Sequence, residues 1–192
     1  MSLRSQIELR PVGLDDLSAV RQTSALAYRA YAGPYLGEDQ VDALVELVRS
    51  PEYCEQMLAA ACLGAWIDER LIGTGGWSAA GTAGAGAKLI GVCVDPLFGR
   101  LGVGSQLVVA VEMQARRAGF ALLSARVPAH AATFFKRLGY AGTSQGVWTT
   151  PSGVTIPVVH MRKGGPARMV LTDQGLPVTL PSLQTSRLAR VH

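Results

Sequence analysis

Long apolar runs, paired cysteines and a strong charge of either sign are all missing from this chain. No stretch approaches the roughly 18 consecutive apolar residues that cross a bilayer, so no membrane partner is expected and the chain reads as soluble. The three cysteines, Cys54, Cys62 and Cys93, are an odd number whose spacings match no zinc pattern. Each sits in or beside an apolar stretch, which predicts reduced core thiols and no metal site. Eighteen Lys and Arg against 14 Asp and Glu leave a net charge of only +4, part of it from Arg162, Lys163, Arg168, Arg187 and Arg190 near the C-terminus. Aromatic and basic residues do not interleave as a single-strand platform requires, so nucleic acid is not an expected partner. No basic segment followed by an apolar core opens the chain, and the expectation is a cytoplasmic protein.

What remains is an ordinary globular composition, 48% apolar and 17% charged over 192 residues, enough for one domain with a sizeable core. Ile7 to Arg10 alternates as a short strand, and an amphipathic helix follows from Asp15 or Asp16 through Tyr28. After a break at Gly33, Pro34 and Gly37 a second helix begins near Glu38. Ser50 and Pro51 then pair as N-cap and first helical residue of a third. Cys62 to Ile67 and Leu71 to Ser78, joined by Asp68, Glu69 and Arg70, predict a hairpin. A Gly, Ala and Thr loop over Ala79 to Ala87 precedes a strand from Lys88 to Val94. A helix over Leu101 to Ala118, a strand over Ala121 to Val127, a short helix over Ala131 to Leu138 and a strand pair over Tyr140 to Val147 and Val154 to Met161 complete the pattern. The order is mixed α/β with central βαβ character. Composition changes after Gly164 and Gly165, so residues 1–165 are expected to form the domain and residues 166–192 an extension, hairpin-like or disordered.

The chemistry is concentrated where the strand Lys88 to Val94 ends. Asp95 and Pro96 close it, and Gly99, Gly102 and Gly104 punctuate a loop that runs directly into a helix. Glycines let backbone N–H groups approach a ligand, and a helix N-terminus adds unsatisfied donors and partial positive charge, which together make a pyrophosphate cradle. Two nucleotide sites fail on spacing. No Gly-Lys-Ser/Thr occurs anywhere, which removes the P-loop, and Leu107 stands where a dinucleotide fingerprint built on Gly102 and Gly104 needs its third glycine.

About thirty residues after the loop comes His130-Ala131-Ala132-Thr133-Phe134-Phe135-Lys136-Arg137-Leu138-Gly139-Tyr140. With this segment the chain resembles the GNAT superfamily of N-acetyltransferases, whose hallmarks are Val-x-Pro, a Gln/Arg-x-x-Gly-x-Gly/Ala loop opening a helix, and a later Phe-Tyr-x-x-x-Gly-Phe/Tyr. The resemblance is specific over Leu89 to Tyr140. It implies a mixed α/β (α+β) fold with a central, mostly antiparallel twisted sheet of about six to seven strands and helices on both faces. It also implies acetyl-CoA as cosubstrate, an acceptor that is a small-molecule or peptide amine, and a homodimer. Backbone of Val92, Cys93 and Val94 would pair the pantetheine arm. The loop Gly99, Arg100, Leu101, Gly102, Val103, Gly104 and Ser105 would hold the pyrophosphate, and His130, Phe134 and Lys136 would line the other side.

Two departures stand out. Gly99 occupies the place of the family's Gln or Arg, with Arg100 one position later. Phe135 stands where many members carry a tyrosine that protonates the departing thiolate. A phenyl ring donates no proton, but a thiol of pKa near 8.5 leaves as thiolate at neutral pH for only about 2 kcal/mol. His130 is either an acid or base in place of that tyrosine or a helix cap beside the cofactor. Tyr28, Tyr31, Tyr35 and Glu38 either bind a cationic amine through ring faces and charge or simply pack the corner between the first two helices. Glu112 is expected on the helix surface, solvated. The three tryptophans read as core or sheet-face packing. The resulting expectation is an N-acetyltransferase acting on a primary amine. The alternative is a CoA-binding sensor or interaction module with little activity, for which Phe135 is the hint.

Overall fold

A computed structural model describes residues 6–80, 86–165, 168–171 and 177–180. The chain opens with β1 (Glu8–Pro11) and passes through α1 (Leu17–Ala32), α2 (Glu38–Arg49) and α3 (Pro51–Ala59). The hairpin β2 (Ala61–Ile67) and β3 (Arg70–Ala79) leads into β4 (Ala87–Val94) and α4 (Val103–Arg117). Then come β5 (Leu123–Pro128), α5 (Ala132–Arg137) and the hairpin β6 (Ala141–Thr149) and β7 (Thr155–Lys163). The expected cap is present, with Ser50 Oγ accepting from the Tyr53 N–H at 3.2 Å. The β2–β3 turn is tight enough to put Asp68 at φ 50°.

Among the described residues one sheet has the order β1-β2-β3-β4-β5-β7-β6, antiparallel throughout except for β4 beside β5. This is the mixed, mostly antiparallel seven-stranded architecture expected. β8 (Arg168–Leu171) and β9 (Pro177–Leu180) pair antiparallel as a separate ribbon. The other extension residues, and most of the Ala79 to Ala87 loop, lie outside the described residues. No described helix is long and apolar enough to cross a membrane.

The sheet separates two kinds of interior. On one face α4 packs Val103, Leu107, Val108, Val111 and Ala115 against Leu63, Ile72, Leu89, Leu123, Ala125 and Met161 in one continuous core. On the other face α1, α2 and α3 cover two smaller clusters, one around Val20, Met57, Trp66 and Ile90, the other around Leu44, Ile156 and Val158. Period-2 alternation in the strands makes this possible, since each strand feeds both faces.

Two local expectations are corrected. The helix after the glycine loop begins at Val103, two residues late, because Arg100 (φ 61°) and Gly102 (φ 85°) are left-handed and cannot continue a helical turn. Glu112 is not solvated: it is 6% exposed, and Lys163 Nζ donates to its two carboxylate oxygens at 2.7 and 2.9 Å. Helical spacing alone had put Glu112 on the outside; the end of β7 closes over it.

Candidate active site

The site is an opening in the sheet. β4 and β5 pair through Ala87 with Leu123, Lys88 with Ser124, and Leu89 with Ala125, and there the ladder stops. Beyond it β4 keeps β3 as its neighbour while β5 turns to β7, whose pairing continues to Pro128 opposite Val158. The β5-facing edge of Ile90 to Val94 is therefore left without strand partners. A bulge sits at that point, with Gly91 and Val92 set against Gly75, and it is pinned by Thr74 Oγ1 donating to the Gly91 carbonyl at 2.6 Å. Gly91 has φ 59°, and a Cβ there would stand 2.7 Å from Met57 Sδ, so only glycine fits.

The opening leads into the glycine loop. Asp95, 3% exposed, accepts from the Leu97 N–H at 2.9 Å and from Arg70 at 2.7 Å, which fixes the turn Pro96–Phe98. Arg70 also lies over the Phe98 ring, 5.1 Å from its centroid. The left-handed residues Arg100 and Gly102 then turn successive backbone N–H groups toward the start of α4. Gly104 lies against Phe134 and Val94; a Cβ there would be 3.3 Å from Phe134 Cζ and 3.4 Å from Val94 Cγ2. The glycine thus leaves room at the first turn of α4 that a side chain would fill.

The departure at Gly99 has a structural reason. A Cβ at 99 would stand 2.5 Å from the Tyr31 hydroxyl, so the tyrosine takes the space a side chain would use. Burial, then the negative charge of Asp95, raise the Tyr31 pKa, while Arg100 lowers it. Tyr31 thus belongs to the loop. Tyr28 and Tyr35 lie elsewhere: the buried Tyr28 hydroxyl meets Cys93, and the Tyr35 ring stacks on His130 with centroids 5.4 Å apart and planes 5° off parallel. Glu38 is exposed at the first turn of α2, next to the Gly37 cap that Gln40 closes.

His130 is half-buried before α5, its Nδ1 is buried without a hydrogen-bond partner, and desolvation lowers its pKa. Burial therefore favours its neutral form. Phe135 is 5% exposed and wedged edge-on between Phe134 and Tyr140, so it belongs to the core under α4. Phe134, one residue earlier, is the ring that reaches the glycine loop, and Lys136 is exposed on α5. Burial pushes the Cys93 thiol up to about 11 and Cys62 up to about 12. All three cysteines are free and buried, and Arg21 Nε donates to Cys54 Sγ at 2.9 Å.

The residues 27–140, more than half of the chain, match the family described as Acetyltransferase (GNAT) family. The chain belongs to the GNAT acetyltransferase family. Solved GNAT structures share the fold at low identity. A GCN5-related N-acetyltransferase from Rhodopseudomonas palustris superposes with TM-score 0.74 at 18% identity, over 82% of this chain and 95% of that one. PaiA N-acetyltransferase from Thermoplasma acidophilum, solved with coenzyme A, gives 0.60 at 16% identity over 83% and 99%. The putative acetyltransferase YncA from Salmonella typhimurium, solved with acetyl-CoA, gives 0.57 at 16% over 82% and 93%. No curated protein matches the chain in sequence.

Sequence reasoning missed Arg126 and Trp148 as site neighbours. Arg126 stands on the part of β5 that has left β4, with its guanidinium 4.6 Å from the Trp148 ring centroid. In the sequence Arg126 has only a place within an expected strand, and nothing local showed that β6 would bring a tryptophan against it.

Proposed function

We propose that this GNAT protein transfers an acetyl group from acetyl-CoA to a primary amine. The single observation that carries the reading is the parting of β4 from β5 after Leu89 and Ala125, which exposes a strand edge leading straight into the glycine loop. When bound, acetyl-CoA supplies an activated thioester. The free edge at Val92, Cys93 and Val94 would pair the amide-bearing arm, and N–H groups of Arg100 to Ser105 would hold the pyrophosphate, with Phe134 and His130 on the far wall. A backbone N–H of the parted edge would face the thioester carbonyl oxygen and stabilise charge developing there. The amine nitrogen bonds to the acyl carbon, the C–S bond breaks with its electron pair on sulfur, and the ammonium proton goes to water.

Phe135 cannot protonate that sulfur, and its place in the core keeps it from the reaction. Departure of an unassisted thiolate adds about 2 kcal/mol at neutral pH, an acceptable cost where proximity supplies most of the acceleration. In this reading residues 1–165 form the catalytic unit and residues 166–192 the extension of a cytoplasmic homodimer, whose mass light scattering would check. Calorimetric titration with acetyl-CoA, NAD and ATP tests the cofactor. Micromolar binding of acetyl-CoA alone is expected, followed by amine-dependent thiol release. Binding without release from any amine would favour the CoA-binding module, and no binding would refute both.

A further inference from the structure

The sheet face opposite α4 carries cations that no ion pair among the described residues neutralises. Leu89, Leu123, Ala125 and Met161 point into the core under α4, so the intervening Lys88, Arg126, His160 and Arg162 occupy the other face. Register gathers them on three adjacent strands: Lys88 lies opposite Ser124, Ser124 opposite Arg162, and Arg126 opposite His160. Arg126, His160 and Arg162 are exposed and Lys88 is half-buried. None of the three ion pairs among the described residues involves any of them.

Among the described residues no carboxylate is paired with either of the inner two. Desolvation, then the positive charge of Arg126, lower the Lys88 pKa; desolvation lowers Arg126, and the group acting against it is Tyr28. Arg126 is nonetheless held over Trp148, its guanidinium carbon 4.6 Å from the ring centroid, and Trp148 packs with the cluster containing Ile156, Val158 and Tyr28. No ion pair among the described residues uses the guanidinium, and its planar fork matches two oxygens of a carboxylate or phosphate. The position matters as much as the charge, because Arg126 is the first outward residue of β5 past the end of its pairing with β4. A group bound there is at the mouth of the opening where the acetyl group would be presented.

We propose that the acceptor amine carries an oxyanion group, a carboxylate or a phosphate, which Arg126 and Lys88 bind on the sheet face while the amine reaches the opening between β4 and β5. This rests on the transferase reading and names its substrate class, an anionic amine in place of the cationic one that the helical-corner tyrosines and Glu38 suggested.

The test is thiol release from acetyl-CoA by the full chain with matched amines: phenylalanine against 2-phenylethylamine, phosphoethanolamine against ethanolamine, and spermidine as a polycation. The anionic member of at least one pair is expected to exceed its partner tenfold or more in kcat/KM, and the winning pair identifies carboxylate or phosphate. Arg126→Gln should bring that ratio close to one by raising KM, Lys88→Gln should reduce it less, and Arg117→Gln, on the exposed end of α4, should leave it unchanged. Equal turnover within both pairs, preference for spermidine, or an anion preference that survives both Arg126→Gln and Lys88→Gln would overturn the proposal. If acetyl-CoA binds but no amine releases thiol, the transferase reading fails, and titration with phenylalanine and phosphoethanolamine decides the anion site separately. Binding weakened tenfold by Arg126→Gln would uphold it, and no binding would overturn it.

Discussion

The two faces of the sheet are built to different standards. Under α4 a single apolar cluster runs from Leu63 to Met161, and the helix contributes Leu107, Val108, Val111 and Ala115 with no exposure at all. Under α1 to α3 the interior is split in two, and beside it lie the half-buried Lys88 and the exposed Arg126, neither in an ion pair among the described residues. A cofactor cradle made of backbone needs a rigid support, because N–H groups displaced by an ångström no longer converge. An acceptor surface has the opposite need, and keeping side chains there solvated and adjustable costs the fold little.

The comparison predicts where substitutions hurt. Leu107→Ala removes a fully buried side chain from the closed face and should cost about 2–5 kcal/mol, read as a large fall in denaturation midpoint; a cost under about 1 kcal/mol would show that this face is not tightly packed. Phe135→Tyr sets a hydroxyl between Phe134 and Tyr140 and should destabilise by about 1–3 kcal/mol without raising turnover. A faster enzyme would mean that the position does reach the departing sulfur. Gly104→Trp leaves stability less changed but puts an indole against Phe134 and Val94, so acetyl-CoA affinity should fall tenfold or more, about 1.4 kcal/mol; unchanged affinity would sink the cradle.

The smallest effect belongs to His130. Burial depresses its folded pKa below the unfolded value, so the unfolded chain takes up the proton first. Its share of stability is intact above about pH 6.5 and is lost as pH falls through the depressed pKa. The drop in melting temperature between pH 7 and pH 5 should therefore be smaller in His130→Asn than in the parent chain, and an equal drop would mean that His130 is freely protonated in the fold.

Much of the architecture around the glycine loop was legible because its signals are local. Glycine and proline act on their own backbone, so Asp95, Pro96, Gly102 and Gly104 announce a strand end, a turn and a helix start within ten residues. The proposed acceptor side was not legible for the converse reason. Tyr28, Tyr31 and Tyr35 look equivalent in a list but are dealt to three places: Cys93, the glycine loop and His130. Arg126 acquires Trp148 from twenty-two residues on, and Glu112 acquires Lys163 from fifty-one residues on.

By itself the sequence determined the mixed α/β order, the glycine loop at the head of a helix, the buried thiols and the missing phenol at position 135, because each depends on a residue's own chemistry or its near neighbours. Only the tertiary structure decided that β4 and β5 part after Leu89, that Tyr31 fills the space beside Gly99, and that Lys88 and Arg126 share a face with no ion pair to either among the described residues. Those are matters of strand register and of what packs across a gap, and register is set by the whole sheet at once.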